Sequence, residues 1–395
     1  YISPTGGAFN EYLTQKAAAN AMPDLMWLDW NDFAPEVASG FVMPLDDYFF
    51  ADPESEYVPS GMTDPYVYGG KLYALPCQMN AMGITMNLDM LEALNIEKPS
   101  YDWTVDEFRP YVVHRFADGS KDWLFDGFLF LEFKDGSGRN YTVGYEKLNA
   151  RRTEWEWLLD RIFEQGKSLS ALDRCIGQEI KELGKPAFRH QIVLGLPEAI
   201  RGQKDWGEID GREMDFSKEE DQIAATKWYI GELVERFKAA KFKHLELSGF
   251  YWVAEDTHHC AELTIPLSEY IHSEGKLFYW IPYWQAKGHE EWKRLGFDVA
   301  YQQPNHFFNK SIPDSRLDEA CAVARKNGMA MEFEFDEKAT AAIPNSSHDR
   351  MAAYINHFEK NDVFNSSAVA YYCGNRGVLT LDESDNPKDK ALMDR

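Results

Sequence analysis

The sequence predicts an α/β protein whose larger part is a (β/α)8 TIM-barrel-like domain. Short runs of apolar, β-branched or aromatic residues recur from residue 123 onwards, and stretches with helix-capping residues separate most of them. The runs are largely apolar along their length, which is typical of parallel strands that are covered on both faces. The chain of 395 residues is also longer than the roughly 250 residues that such a barrel typically needs.

Seven such runs follow one another along the second part of the chain, and we predict one strand in each. They lie at residues 123–133, 191–198, 244–255, 276–284, 298–304, 329–336 and 368–373. Helical stretches with capping signals lie between most of them. One example runs from Asp314 to Asn327, where Gly328 is a predicted stop.

A closed barrel needs an eighth strand, which must precede Trp123. Only eight residues separate His114 from Trp123, whereas a parallel crossover takes a dozen or more. A strand at 83–87, followed by a helix, would leave enough chain. Either the first part of the chain supplies the missing strand, or the barrel is incomplete and has exposed strand edges. We predict a partial α/β segment over residues 1–107 and the barrel domain over residues 108–395.

The composition restricts the classes of partner. The chain carries 41 basic and 65 acidic residues, a formal net charge of −24, which disfavours nucleic acid and anionic lipid. No apolar run approaches the roughly 18 residues of a membrane span. The 12 Trp, 20 Tyr and 25 Phe residues can line a groove for a neutral, partly apolar ligand such as a sugar. We therefore expect a carbohydrate ligand, no nucleic acid and no membrane span.

Neither a metal nor a cofactor is expected from the motifs. The five cysteines are odd in number, lie far apart and form no CxxC pair, which disfavours a disulfide framework and a zinc site. The run His258-His259-Cys260 does not change this, because adjacent side chains point apart. The sequence contains no phosphate loop, dinucleotide fingerprint or nucleophile elbow. The chain begins at Tyr1 without an export signal and ends within a predicted helix, so we expect both ends to be cut.

Three carboxylates alternate along the predicted strand 329–336. Glu332, Glu334 and Asp336 share one face, while Phe333 and Phe335 point the other way. Burying these carboxylates is costly unless something compensates for their desolvation. They form either a structural ion-pair ladder or a catalytic group at the C-terminal rim, where barrel active sites lie. The rim is favoured because no matching basic residues occur in the neighbouring predicted strands.

A second carboxylate, Glu255, ends the predicted strand 244–255. It could simply favour the dipole of a following helix. Together with Glu334, however, it would provide the two opposed carboxyl groups that glycoside hydrolysis needs. We predict Glu255 as general acid/base and Glu334 as nucleophile or base, with Asp336 as the rival of Glu334.

Aromatic and polar residues at the predicted strand ends are candidates for sugar binding. Rings can stack on the apolar face of a sugar, while amides and histidine can bind its hydroxyl groups. The predicted binding residues are Tyr251, Trp252, Tyr283, Trp284, Gln303, Asn305 and His306, with Glu198 and Asp126 as weaker, supporting candidates. Trp280 is expected in the core instead.

Residues 25–107 resemble the extracellular solute-binding proteins of sugar ABC transporters. The resemblance rests on Pro44-Leu45-Asp46-Asp47-Tyr48 and on the segments 70–76 and 82–87. It implies sugar contacts near Trp30, Asn31 and Asp32, and a transporter partner if this part is functional. Only part of the first of the family's two lobes is represented, so solute binding by this segment alone is not expected.

Residues 108–395 are similar to the family known as domain of unknown function 4855. The resemblance rests on the segments 123–133, 243–252 with Glu255, 280–284, 296–298, 303–305 with 307–308, and 329–336. It implies a glycoside hydrolase-like barrel from bacterial carbohydrate-degradation loci, whose own first strand is here replaced by solute-binding-like sequence. We predict a glycoside hydrolase acting on a polysaccharide or glycan, in a periplasmic or extracellular location. The alternatives are a non-catalytic carbohydrate-binding protein and a barrel whose carboxylates are purely structural.

Overall fold

The chain forms two compact units, Tyr1–Lys98 and Pro99–Arg395. The computed structural model describes residues 16, 19, 21–22, 37–40, 42–52, 55, 66–75 and 104–393, except 117, 137, 259 and 375. In the first unit, the described elements include a helix at Asp46–Phe49 and a hairpin that pairs Val67–Tyr68 with Lys71–Leu72. The solute contacts predicted near residues 30–32 and the strand predicted at 83–87 lie outside the described residues.

Seven parallel strands form the main sheet of the second unit. They are β1 Gly127–Phe130, β2 His190–Leu196, β3 Leu245–Trp252, β4 Leu277–Trp280, β5 Val299–Gln302, β6 Ala330–Phe335 and β7 Val369–Cys373. Each strand pairs with its neighbours in chain order, as expected for repeated β/α units. Each of the seven predicted runs overlaps one of these strands, and the bounds of β2 begin one residue before its predicted run. The fold class is therefore confirmed as α/β with a curled, TIM-barrel-like parallel sheet.

Helices connect the strands and cover the outside of the sheet. They are α1 Val105–Val112, α2 Arg152–Ile162, α3 Ser168–Leu183, α4 Glu219–Ala240, α5 Ala261–Ser273, α6 Ser315–Asn327, α7 His348–Lys360, α8 Val363–Ser366, α9 Gly377–Asp382 and α10 Pro387–Met393, with 3-10 turns at His289–Glu291 and Glu337–Ala339. Short two-stranded pairs join 113–115 to 121–123, 139–140 to 148–149, and 208–209 to 212–213. Within the described part of the chain, no helix combines the length and hydrophobicity that a membrane crossing requires.

Helix α1 occupies the place of a helix from an eighth β/α unit. Its N-terminus is closed by a capping box between Thr104 and Glu107. It packs against α3, which follows β1, and against α9, which follows β7. Arg109 forms an ion pair with Glu179 of α3 at 2.9 Å, and Glu107 forms one with Arg376 just before α9. The ring of helices is thus continuous on the side where the sheet has its two edges.

The sheet is open between β1 and β7. Among the described strands, these two are the edges of the sheet and do not pair with each other. The rings of Phe125 and Tyr371 lie 5.3 Å apart between the two edges. Within the described residues the barrel is therefore incomplete, and the strand predicted at 83–87, which could close it, lies outside them.

Alternation along β3 separates the outer core from the interior of the curled sheet. Phe250 and Trp252 belong to the large core between the sheet and the helices, while Tyr251 and Val253 belong to a small inner cluster with Ile281. Trp280 is fully buried in the outer core, as predicted. The inner face is thus left to line a cavity.

Candidate active site

A cavity of about 870 Å³ lies inside the curled sheet. Its wall extends from residues before β1, such as Asp126, to residues beyond the C-terminal ends of the strands, such as Glu255 and Asn305. Its volume lies within the range of small-molecule sites, roughly 300–1,000 Å³. The cavity can therefore enclose a saccharide.

Strand β6 contributes two carboxyl groups to this cavity. Glu332 and Glu334 both line it, whereas Phe333 packs outwards against Tyr354 of α7 with ring centroids 4.7 Å apart. The exposed fractions of Glu332 and Glu334 are only 4% and 1%. The shared face predicted from the alternating sequence thus places two acidic side chains in a nearly dry environment.

Glu334 is held by several hydrogen-bond donors. The hydroxyl of Tyr354 donates to its Oε2 atom at 2.6 Å, and the backbone N–H of His306 donates to the same atom at 3.2 Å. The backbone of Asn305 and the side chain of Gln303 also donate to this carboxylate. Burial raises the pKa of Glu334, and these donors oppose the rise because they stabilise the charged form.

Asn305 supports this arrangement through an unusual backbone conformation. Its φ of 51° lies in the left-handed region, which asparagine adopts more readily than most residues. Its Oδ1 atom accepts a hydrogen bond of 2.6 Å from the backbone N–H of Trp284. The loop after β5 is thereby fixed to the loop after β4, and its backbone N–H groups point at Glu334.

Glu255 lies beyond the end of β3 and is half-buried in the wall of the same cavity. Burial, followed by the negative charges of Glu334 and Asp256, raises its pKa to about 7. The backbone N–H of Tyr283 donates to the carbonyl oxygen of Glu255 at 3.3 Å, which fixes the loop. A carboxyl group that remains protonated near neutral pH can act as a proton donor.

Glu332 is a third carboxyl group, which the predicted site did not include. Burial raises its pKa well above the ordinary value, and the charges of Glu334 and Glu255 raise it further. Its Oε2 atom has no hydrogen-bond partner in the described part of the chain. The signal for Glu332 was present in the sequence, because it shares a strand face with Glu334.

Aromatic side chains from loops complete the wall, and the sequence did not identify them. The rings of Phe133 and Tyr145 are stacked with centroids 4.6 Å apart, and Phe308 contacts Tyr372 edge-on at 5.9 Å. Tyr145 and Phe308 are 47% and 52% exposed. Tyr251, which was predicted, lines the cavity beside Glu255 and Glu332. These rings provide surfaces on which a sugar ring can stack.

Three predicted aromatic contacts are not part of the cavity wall. Trp252 faces the outer core and packs edge-on against Phe278 at 6.0 Å, because it alternates with the inward-facing Tyr251. The Trp284 ring lies 4.6 Å from the guanidinium of Arg316. The Tyr283 hydroxyl donates to Asp256 at 2.8 Å. Tyr283 and Trp284 therefore stabilise the loops around the cavity and do not form part of its surface.

Two predicted polar residues also have structural partners outside the cavity wall. Glu198 accepts hydrogen bonds from the Thr142 hydroxyl at 2.7 Å and the Val143 backbone at 3.1 Å. The buried His306 ring is hydrogen-bonded to Asp314 at 2.8 Å, so only its backbone reaches Glu334.

Asp336, the predicted rival of Glu334, caps the 3-10 turn that follows β6. Its carboxylate accepts from the backbone of Lys338 at 2.8 Å. Asp126 does line the cavity, but it precedes β1 and so lies at the end opposite the predicted rim.

Comparisons with known proteins match both parts of the sequence. Residues 90–395 match the family described as domain of unknown function DUF4855, and residues 1–163 match the bacterial extracellular solute-binding proteins. Both resemblances that the sequence motifs indicated are therefore confirmed. Among curated proteins, none matches the chain.

Three solved structures are similar to this chain at low sequence identity. A proposed α-L-fucosidase from Bacteroides thetaiotaomicron VPI-5482 is 15% identical over 76% of this chain and 88% of its own, with a TM-score of 0.38. The carboxyl transferase domain of Rhizobium etli pyruvate carboxylase is 11% identical over 62% of this chain and 38% of its own, with a TM-score of 0.31. CbXyn10B is 12% identical over 54% of this chain and 73% of its own, with a TM-score of 0.30. Similarity at this level says nothing about activity. The match over residues 90–395 covers well over half of the sequence, and the chain therefore belongs to the DUF4855 family.

Proposed function

We propose that the second unit is a glycoside hydrolase that cleaves glycosidic bonds of a polysaccharide or glycan. The observation that carries the proposal is the pairing of Glu255 and Glu334 in one cavity, in contrasting environments. Burial raises the pKa of both carboxyl groups, to about 7 for Glu255, and the hydrogen bonds that Glu334 accepts oppose the rise there. These donors favour the charged form of Glu334, and acid and base roles require two carboxyl groups that differ in this way.

In this mechanism, Glu255 donates its proton to the glycosidic oxygen as the bond to the leaving sugar breaks. Glu334 either attacks the anomeric carbon or removes a proton from the water that does so. The stacked rings of Phe133 and Tyr145 and the exposed ring of Phe308 provide apolar surfaces for the sugar rings. The amide of Gln303, whose Oε1 atom lacks a partner among the described residues, can accept a hydrogen bond from a hydroxyl group.

The test is to assay Glu255→Gln and Glu334→Gln on a panel of glycans. We expect each substitution to lower kcat by at least about 100-fold, because each removes a group that transfers a proton or attacks the sugar. Glu246→Gln is the matched control, since Glu246 is exposed near the N-terminal end of β3 and does not line the cavity. Undiminished hydrolysis by both cavity variants would exclude the proposed roles.

The second candidate function is non-catalytic carbohydrate binding, which the match of residues 1–163 to solute-binding proteins favours. A binder should change its tryptophan fluorescence when a sugar is added and should never release reducing ends. If the first part is itself functional, a transporter is its expected partner. We infer a division of the chain into a solute-binding-like segment at 1–107 and the hydrolase-like domain at 108–395.

A further inference from the structure

Glu332 is one carboxyl group more than a two-carboxylate mechanism uses. It is 4% exposed, lines the cavity and has an Oε2 atom without a hydrogen-bond partner in the described part of the chain. A buried polar atom without a partner is costly, because it has lost its hydrogen bonds to water. A ligand that fills the cavity can remove this cost by supplying a donor at this position.

The charges along the cavity wall identify the kind of donor. The acidic side chains that line it are Asp126, Glu132, Glu255, Glu332 and Glu334, and Arg161 is the basic one among the described residues. Arg161 forms an ion pair with Glu132 at 3.0 Å. Within the part of the wall that the structure describes, no lysine or arginine is paired with the carboxyl groups of β6.

An excess of acidic groups in a cavity of low dielectric selects the charge of the ligand. A sugar with a carboxylate or sulfate group would be disfavoured by these acidic groups, and an uncharged sugar would leave Glu332 in its neutral form. An ammonium group has three donors and one positive charge, and it can therefore satisfy an unpartnered carboxylate directly.

Among these carboxyl groups, Glu332 is the one best placed to bind an ammonium group. Glu334 already accepts hydrogen bonds from Tyr354 and His306 at the same oxygen atom. In the empty cavity, burial keeps the pKa of Glu332 high and favours its neutral form. A nearby ammonium ion favours the charged form instead, so that the carboxylate and the ligand stabilise each other.

We propose that the saccharide bound in this cavity carries a free amino group, and that Glu332 binds its ammonium. This assignment rests on the proposed function only in taking a saccharide as the ligand. It names amino sugars as the substrate class and Glu332 as the residue that determines specificity.

The experiment measures binding of matched sugar pairs to the full chain by isothermal titration calorimetry, at a pH at which the amine is protonated. The pairs are glucosamine with glucose, galactosamine with galactose, and mannosamine with mannose, together with the corresponding N-acetylated sugars. We expect at least one amino sugar to bind about tenfold more tightly than both its hydroxyl and its N-acetyl counterparts. Equal affinities within every set, or no binding of any amino sugar, would overturn the assignment.

Two variants then test whether Glu332 causes the preference for the amino sugar. Glu332→Gln should abolish the difference between the amino sugar and its neutral counterpart, while Glu246→Gln, the same substitution at an exposed site, should preserve it. Persistence of the preference in Glu332→Gln would refute the role of this residue. If that variant does not fold, the comparison of sugars with the unchanged protein still decides whether the cavity prefers a sugar with an amino group.

The outcome is separable from that of the proposed hydrolase function. Binding preference for amino sugars without release of reducing ends would contradict the hydrolase and support the amino-sugar site. Hydrolysis of neutral glycans, with no preference for an amine, would support the hydrolase and contradict the amino-sugar site.

Discussion

The hydroxyl of Tyr354, on helix α7 outside the sheet, donates a hydrogen bond of 2.6 Å to Glu334 in the wall of the cavity. The Tyr354 ring is anchored by packing against Phe333 and Phe358, at 4.7 and 5.5 Å. The outer core thereby fixes the position of a donor to the carboxylate that we propose as nucleophile or base.

Tyr354→Phe should remove this donor while keeping the ring. Loss of a hydrogen bond to the charged form raises the pKa of Glu334, so the acidic limb of the pH–activity profile should move to higher pH. We also expect kcat to fall by about tenfold.

The measurement is kcat/KM as a function of pH. Tyr229→Phe is the matched control, because the buried Tyr229 hydroxyl has no partner among the described residues and lies outside the cavity wall. An unmoved limb would show that Tyr354 has only a packing role.

The alkaline limb of the same pH–activity profile should reflect the loss of the proton from Glu255. Because its pKa is raised to about 7, the proton that it donates is lost as the pH rises through that value, and activity should fall there. The charge of Asp256 contributes to this raised pKa. Asp256→Asn should therefore shift the alkaline limb to lower pH, measured on the same substrate. A shift in the opposite direction, or none, would contradict the assignment of this limb to Glu255.

The sequence predicted the strands better than it predicted the site. The seven strands were found because long apolar runs, buried on both faces, are a strong local signal. The shared face of Glu332 and Glu334 followed from strand alternation alone. Alternation also requires Tyr251 and Trp252 to diverge, but it does not say which of them faces inwards, because that depends on the curvature of the whole sheet.

Positions beyond the strand ends could not be predicted in this way. The chain turns into a 3-10 helix after β6, and Asp336 becomes its cap instead of a further carboxyl group in the cavity wall. Tyr145 and Phe308 reach the cavity from loops, whose paths are set by contacts such as that between Phe133 and Tyr145. No periodic pattern in the sequence encodes such contacts.

His190 should make the fold less stable in mild acid. Its ring is fully buried beside Trp123 and Phe188, at 5.3 and 5.2 Å, and burial lowers its pKa to about 4. The unfolded chain, with an ordinary histidine pKa of about 6.5, binds the proton more readily between these two values. The free energy of unfolding should therefore decrease as the pH falls from about 6.5 to 4, by up to about 3 kcal/mol from this residue.

Urea denaturation at several pH values measures this dependence. His190→Leu, which cannot be protonated at this position, should flatten the curve between pH 6.5 and 4. An equally steep curve in His190→Leu would mean that other groups cause the acid sensitivity.

The contact between Phe125 and Tyr371 should stabilise the open side of the barrel. The two rings lie 5.3 Å apart between the unpaired edges β1 and β7, where no backbone hydrogen bonds join the described strands. Phe125→Ala removes a half-buried ring and its aromatic contact, so we expect the free energy of unfolding to fall by about 1–3 kcal/mol. Thermal unfolding monitored by circular dichroism measures the effect. Phe116→Ala, at a ring that is 45% exposed, is the control and should change stability much less. Equal losses in the two variants would indicate that the ring contact does not hold the two edges together.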